Sequence, residues 1–365
     1  MKTEYRVQIG RHVFEGGIDA VSKVKSIQTT ETEGGETDTA TIVIEDGNKE
    51  ILPPEKNVPV LVELRKPGGP YVQRFEGFVT SSPVSFGGET TMTIAAESLD
   101  TESKAKEPMQ LFFKEGKLGE VFDRFAKLAE LKPPKISKAL ADLVLDREVA
   151  DGESFLEFGD RVSKEVGGLF KVIGKTPVLV DAMSALSVSG KALPEVVAEV
   201  GVNLIGGTIT PRLSRPAYAS HKARYFDKDE GAVKTAEAEG KRGSATTTLG
   251  PVLPDKARAE RAVKAEASTA EREQSAGTIE MTDCLQATAG GTVKLIGGHP
   301  GVDGTYRIKS VENVLDEGGL MNTLSVDHLK LASEAGEAKK PAATSEDPSP
   351  PGDGLNRNGR TGTQQ

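Results

Sequence analysis

A chain of 365 residues with 36% hydrophobic side chains and 40 glycines has room for two or three domains with ordinary globular cores. Its net charge of −9, with no block of lysine or arginine, argues against a direct grip on nucleic acid, which needs a basic footprint to displace counterions. A single cysteine, Cys284, excludes an intrachain disulfide framework and a cysteine-based zinc knuckle.

Tryptophan is absent and aromatics are only 5%, so thin cores of Val, Ile, Leu and Ala are expected. No apolar run is long enough for a membrane helix, and "MKTEYRVQIG" lacks the apolar stretch of a signal peptide. Synthesis and assembly in the cytoplasm are the expectation.

Residues 1–100 read as short strands: "EYRVQIG", "VSKVKSIQTTE", "DTATIVIED", "VPVLVELRK", "QRFEGFVTSSPVSF" and "TTMTIAAES". Alternation is clear over Thr39–Ile44 and again at Met92, Ile94 and Ala96, and Gly-Gly and Pro-Pro pairs punctuate the runs. Such spacing predicts a small barrel or sandwich.

The period then changes. Leu118, Val121, Phe122, Phe125, Leu128 and Ala129 share one helical face, and Pro133-Pro134 stops that helix. A second helix begins at Ser154, where Ser154 and Glu157 form a capping box; Phe155, Phe158, Val162 and Val166 make its buried stripe, and Gly167-Gly168 ends it.

The stretch that follows, "GLFKVIGKTPVLVD" (168–181), contains Gly174-Lys175-Thr176 and invites comparison with a phosphate-binding loop. Five residues rather than four separate Gly168 from Gly174, and Leu169, Phe170, Val172 and Ile173 are bulky strand formers. A hairpin turning at Gly174 is predicted instead, with no nucleotide.

Strands return at "VNLIGGTITPRLS", "AYASHKARYFDK" and "GAVKTAEAEG". The segment 255–274 is helical but almost all alanine and charge, so it must lie close against a neighbour. Further strands run through "GTIEMTD", "GTVKLIGG", "GTYRIKSVENVLD" and "MNTLSVDHL". Residues 332–365 carry one leucine among many Pro, Gly and charged residues and are expected to be disordered.

An internal repeat links 76–97 with 304–328: Phe78 with Tyr306, Ser82 with Ser310, and Gly87-Gly88 with Gly318-Gly319. If real, two similar barrels flank the helical unit. The expected layout is a first barrel at 1–104, an α/β unit at 105–199, a second barrel at 200–331 carrying the helix 255–274, and a tail from 332. The fold class is mainly β with an α+β insert.

Chemistry-bearing motifs are sparse. His12, His221, His299 and His328 form no close-spaced metal pair. "DKDEG" (227–231) has its glycine one position early for a calcium loop, and "GGHPGVDG" (297–304) has neither dinucleotide spacing nor a following helix. Cys284 has no histidine beside it in sequence, and no serine sits in a nucleophile elbow. No catalytic, cofactor-binding or metal residue is assigned. The 55 carboxylates leave a glycosidase-like pair as an open alternative.

Three strings, "SFLEFGDRVSKEVGGLFKVIGKTPVLVD" (154–181), "RPAYASHKARYFDKDEGAV" (215–233) and "HPGVDGTYRIKSVENVLDEGGLMNTLSVD" (299–327), resemble in this order the phage late control gene D family, the tail hub proteins of contractile-tailed phages. The resemblance covers about residues 5–330. It implies a non-enzymatic hub: a homotrimer whose two barrels per chain make a pseudo-sixfold ring joining the hexameric tail tube to a trimeric spike. A virion baseplate location follows, with the tape measure protein as a further candidate partner. Type VI secretion spikes share the module but continue into an OB-fold and β-helix, so a stand-alone hub is the first expectation and a secretion-spike module an alternative. A tail-associated peptidoglycan-degrading enzyme is the other.

Overall fold

Alternation writes the first strands directly: in Thr39–Glu45 every second side chain is buried, which is what a strand with one face on a core requires. The structure, a computed structural model, describes residues 2–34, 37–100, 102–182, 191–211, 218–240, 244–272 and 275–331. The tail expected from residue 332 lies outside them. Strands make up 54% of the protein and helices 15%, so it is mainly β, as its patterning implies.

The first part holds β1 (Glu4–Ile9), β2 (His12–Gly17), β3 (Val24–Thr32), β4 (Thr39–Glu45), β5 (Pro59–Arg65), β6 (Val72–Ser81), β7 (Val84–Ser85) and β8 (Thr91–Glu97). The last part holds β14 (Glu195–Glu199), β15 (Leu204–Pro211), β19 (Ser275–Thr282), β20 (Thr292–Ile296), β21 (Gly304–Asp316) and β22 (Gly319–Leu331). All fourteen belong to one sheet, with the main path β15-β19-β22-β21-β3-β4-β8-β6-β5-β1-β2.

Against the expectation of two similar tandem barrels, the described residues form one continuous sheet with no closed barrel. Neither half closes on itself, because β21 pairs with β3 from Leu315↔Ile27 to Ser310↔Thr32. The thirteen residues of β21 have β22 along one side and are long enough to hold β20 and then β3 along the other. Alternation marks which side chains point inward but does not choose a strand's neighbour.

Each half keeps its own apolar core. Val7, Ile27, Ile42, Ile44, Val62, Val79 and Ile94 fill the first, and Ile279, Met281, Val293, Ile308, Val311 and Leu324 the second. Leu285, Leu315 and Leu320 cross over and pack into the first core, so the two halves share apolar burial as well as a ladder.

Between them stand β9 (Met109–Lys117), α1 (Leu118–Leu128), β10 (Lys135–Ile136), α2 (Lys138–Ala141), β11 (Val144–Glu153), α3 (Phe155–Val166), β12 (Gly168–Ile173) and β13 (Thr176–Asp181). The capping box of α3 forms as its sequence dictates: Ser154 N–H donates to Glu157 at 2.8 Å and Glu157 N–H to Ser154 Oγ at 3.3 Å. Gly167 ends the helix at φ 72°, a left-handed position that glycine adopts without strain. Leu128 departs from its predicted stripe and is half exposed; Ala129, just beyond the helix, takes the last core place.

This core is not thin. Phe122, Phe125, Phe155, Phe158 and Phe170 pack with ring centroids 4.9–6.0 Å apart, edge-on in every pair but the tilted Phe122–Phe158. Composition averaged over the chain conceals five phenylalanines gathered in one place.

The remaining strands, β16 (Tyr218–Asp227), β17 (Ala232–Glu239) and β18 (Ala245–Leu253), do not join the large sheet. They form a three-stranded sheet against α4 (Lys256–Arg272), where Ala259 and Val263 meet Ala223, Tyr225 and Ala236. The shallow stripe read from sequence is this contact. Arg258 ties α4 to the central unit through Glu165 at 2.6 Å and Glu148 at 3.0 Å.

Candidate functional site

The site is a surface built from repetition. Two four-strand units stand side by side in the large sheet, β15-β19-β22-β21 and β3-β4-β8-β6, with the short β7 continuing the line of β6 along β8. Their registers correspond residue for residue. The β15–β19 pair shifts between Leu204 and Gly206, and β3–β4 shifts between Val24 and Ser26. The β21–β22 pair shifts between Ile308 and Ser310, and β6–β8 between Val79 and Ser81. Two shared bulges at matching places are hard to reach by chance, since each re-aims a strand. They align Ser81 with Ser310 and Gly77 with Tyr306, one residue from the pairing that sequence alone suggests.

The face turned away from the cores is small and hydroxylated. Thr208, Thr278, Ser325, Ser310 and Thr32 form one row across five adjacent strands. Gln28 and Glu312 hydrogen-bond across the junction on the same face. Underneath, a buried polar chain locks the register: Cys284 N–H donates to Asn322 Oδ1 (2.8 Å), Asn322 Nδ2 to Asn313 Oδ1 (2.7 Å), and Asn313 Nδ2 to Thr29 Oγ1 (3.1 Å). A one-residue slip would strand these amides without partners.

Charged groups clasp the halves to the central unit around a cleft of about 400 Å³ lined by Glu31, Asp38, Arg74, Lys171 and Thr288. Arg74 donates to the carbonyls of Ala287 (2.8 Å) and Leu285, while Lys171 meets Asp38 at 2.7 Å and Thr288 donates to Glu31 at 2.8 Å. Burial pushes the Glu31 carboxyl above its ordinary range, outweighing the opposing pull of Lys171, Thr288 and Arg74. A raised native value means the folded state holds the proton more tightly. Stability should therefore rise as pH falls through that value toward the ordinary 4.5. Glu31→Gln is expected to raise Tm by about 2–4 °C at pH 8 and to lose that advantage near pH 4.5. Scanning calorimetry across this range checks it; a difference independent of pH would contradict the assignment.

The motifs considered from sequence are used internally. The Gly168–Thr176 segment is the β12–β13 hairpin, with Gly174 at φ 57° and Gly168 pressed so closely that a Cβ would lie 2.9 Å from Leu179. In 227–231, Lys234 pairs with Asp227 (2.8 Å) and Glu230 (2.6 Å), filling the place a cation would take. In 297–304 the Asp303 carboxylate accepts from the N–H groups of Gly297, Gly298 and His299 at 2.8–3.1 Å, so the loop supplies its own anion. Asp303 also joins burial in raising the Tyr306 hydroxyl to about 12.

His221 is buried against Tyr218, His12 is exposed on β2, and the His299 ring accepts from Gly301 N–H. No cluster of three metal-capable side chains occurs among the described residues. Among the buried carboxylates, Glu33 pairs with Arg307 and Glu148 with Arg161 and Arg258, while Asp46 accepts from the N–H groups of Glu50 and Ile51. Sequence reasoning missed β2, β10, β14, β18 and the β9–β11 ribbon; alternation in "MQLFFKEGK" was the available signal for the last.

No protein-family model and no curated protein matches the sequence. Solved structures do match. A 43 kDa tail protein of prophage MuSo2 from Shewanella oneidensis is 15% identical with a TM-score of 0.65, over 89% of this chain and 98% of that one. A tail protein from Neisseria meningitidis MC58 is 13% identical with a TM-score of 0.66, over 90% and 97%. An E. coli component of the type VI secretion system, described as structurally similar to T4 bacteriophage tail proteins, is 12% identical with a TM-score of 0.56, over 88% and 76%. The chain has the fold shared by these phage tail proteins and this secretion-system component.

Proposed function

We propose that the protein is a structural hub of a contractile tail, without enzymatic activity, in which three chains form a ring joining a sixfold tube to a threefold spike. The observation that carries this is the pair of four-strand units with the same two bulges in matching registers. A sixfold tube presents six like edges, and a threefold spike presents three. A closed trimer with two like units per chain answers both. Residues 1–104 and 200–331 would be the tube-like domains, with 105–199 projecting from them. The likeness to the Shewanella and Neisseria tail proteins supports this reading. The partners are then the tube protein, the spike protein and the tape measure protein, in a virion baseplate assembled in host cytoplasm. Nucleic acid would pass without being gripped, in keeping with the net charge of −9.

The secretion-system neighbour supports a second reading, the same module within a type VI spike. Native mass spectrometry of the chain, alone and co-expressed with the tube and spike proteins of its own particle, tests the first. A trimer is expected. A monomer under every condition would remove the proposal, and a spike partner belonging to a secretion apparatus would favour the second reading.

A further inference from the structure

The β21–β3 junction is a template for a second one. On the side away from β22, β21 pairs first with β20 through Gly304–Arg307 and then with β3 through Ser310–Leu315. The corresponding β6 pairs first with β5 through Val72–Phe78, and Val79 N–H and C=O still bond residues 57 and 58. Beyond it, Ser81–Phe86 has no strand on that side among the described residues. At one end of the sheet path, β15 pairs among the described residues only with β19, apart from one bridge at Leu204. Each free edge is therefore the counterpart of one side of the internal junction.

We infer that the Ser82–Phe86 edge of one copy pairs antiparallel with the Gly207–Pro211 edge of a second copy of this chain, in the register Val84↔Ile209 and Phe86↔Gly207. This follows by carrying the bulge-aligned equivalences across: Asn313↔Thr29 becomes Val84↔Ile209, and Leu315↔Ile27 becomes Phe86↔Gly207. It rests on the hub reading for closure into a ring.

The chemistry of the edges agrees with that occupant. Pro83 C=O accepts from Thr93 N–H, so Pro83 spends its backbone on β8. By strand alternation, Ser82, Val84 and Phe86 turn their amides and carbonyls outward. The missing N–H of Pro83 therefore costs the new ladder nothing; Pro211 ends it.

Phe86 is 84% exposed, whereas its counterpart Leu315 is 1% exposed, inserted in the core of the neighbouring half. In the second copy the receiving surface is the half-buried Leu204 and Ile209 against the second core. Where the internal junction has the amide chain Asn322–Asn313–Thr29, the edges present Met92, Val84 and Ile209. An exposed apolar edge is a liability that pairing removes. A pair of edges that match head to tail, rather than each matching itself, generates a closed ring or a filament rather than a twofold dimer.

The full-length chain carrying Ser85→Cys and Thr208→Cys tests the register, since these lie at a non-hydrogen-bonded pair where side chains approach closely. Within one chain they sit on strands far apart in the sheet, Thr208 on the terminal strand β15 and Ser85 on β7, which branches off beside β8. Mild oxidation should give interchain disulfides on a non-reducing gel, absent from either single variant and from Ser85→Cys with Ile209→Cys, which points to the other face. Phe86→Asp should weaken self-association at least tenfold with the monomer's Tm unchanged. Oligomers by native mass spectrometry that neither cross-link through Ser85→Cys/Thr208→Cys nor respond to Phe86→Asp would overturn the seam and leave the hub reading standing. A chain that stays monomeric, alone and with tube and spike proteins, would remove both.

Discussion

Replacing Phe122 with alanine should destabilise the protein by about 3–5 kcal/mol, the usual cost of emptying a buried aromatic site. Phe122 is fully buried and meets Phe155, Phe158 and Phe170 at centroid separations of 5.7–6.0 Å. Those rings are held by α3 and β12, so the cavity cannot collapse without moving a helix against a sheet. The loss combines transferred area, edge-to-face contacts and unfilled volume. Tryptophan is absent, so circular dichroism in urea is the natural readout. Phe86→Ala is the internal control: with its ring exposed, the monomer should change by less than about 0.5 kcal/mol. A Phe122→Ala loss no greater than that of Phe86→Ala would mean the five-ring cluster does not hold the central unit together.

Arg307→Ala should be comparably damaging, by about 3–5 kcal/mol, for an electrostatic reason. Arg307 on β21 donates from Nε to Glu33 Oε1 at 2.8 Å, just beyond the end of β3, and both side chains are at least nine-tenths buried. Removing the guanidinium leaves a carboxylate buried at the junction of the two halves. The double variant Arg307→Met with Glu33→Met should recover most of the loss, because a buried ion pair rarely outperforms apolar packing of similar volume. Equal damage in single and double variants would show that Arg307 acts through something other than its charge.

Strand content and the capping box of α3 were legible in the sequence because both depend on neighbours within a few residues. Thr39–Ile44 alternates whatever it pairs with, and Ser154 and Glu157 reach each other over a single helical turn. The hairpin in place of a phosphate loop at Gly168–Thr176 was legible for the same reason: spacing and side-chain bulk are local. The ribbon of β9 and β11 was harder, since its outward-facing Phe112 and Val149 sit opposite each other on a two-stranded surface with no sheet around it.

What lies between distant segments was decided by the tertiary structure. The repeat was visible as a likeness between 76–97 and 304–328, but its register was off by one until the paired bulges fixed it. That β21 would reach past its own half to β3, joining two expected barrels into one open sheet, is not written in any window of residues. Each strand's alternation satisfies many partners equally, and the choice falls to burial of Leu315 and Leu320 in the other core and to the Cys284–Asn322–Asn313–Thr29 chain. The same holds for the clasp of Glu31, Arg74, Lys171 and Thr288, assembled from segments far apart along the chain. Local propensity and spacing set the elements; long-range burial and the need to satisfy every buried polar group set how they join.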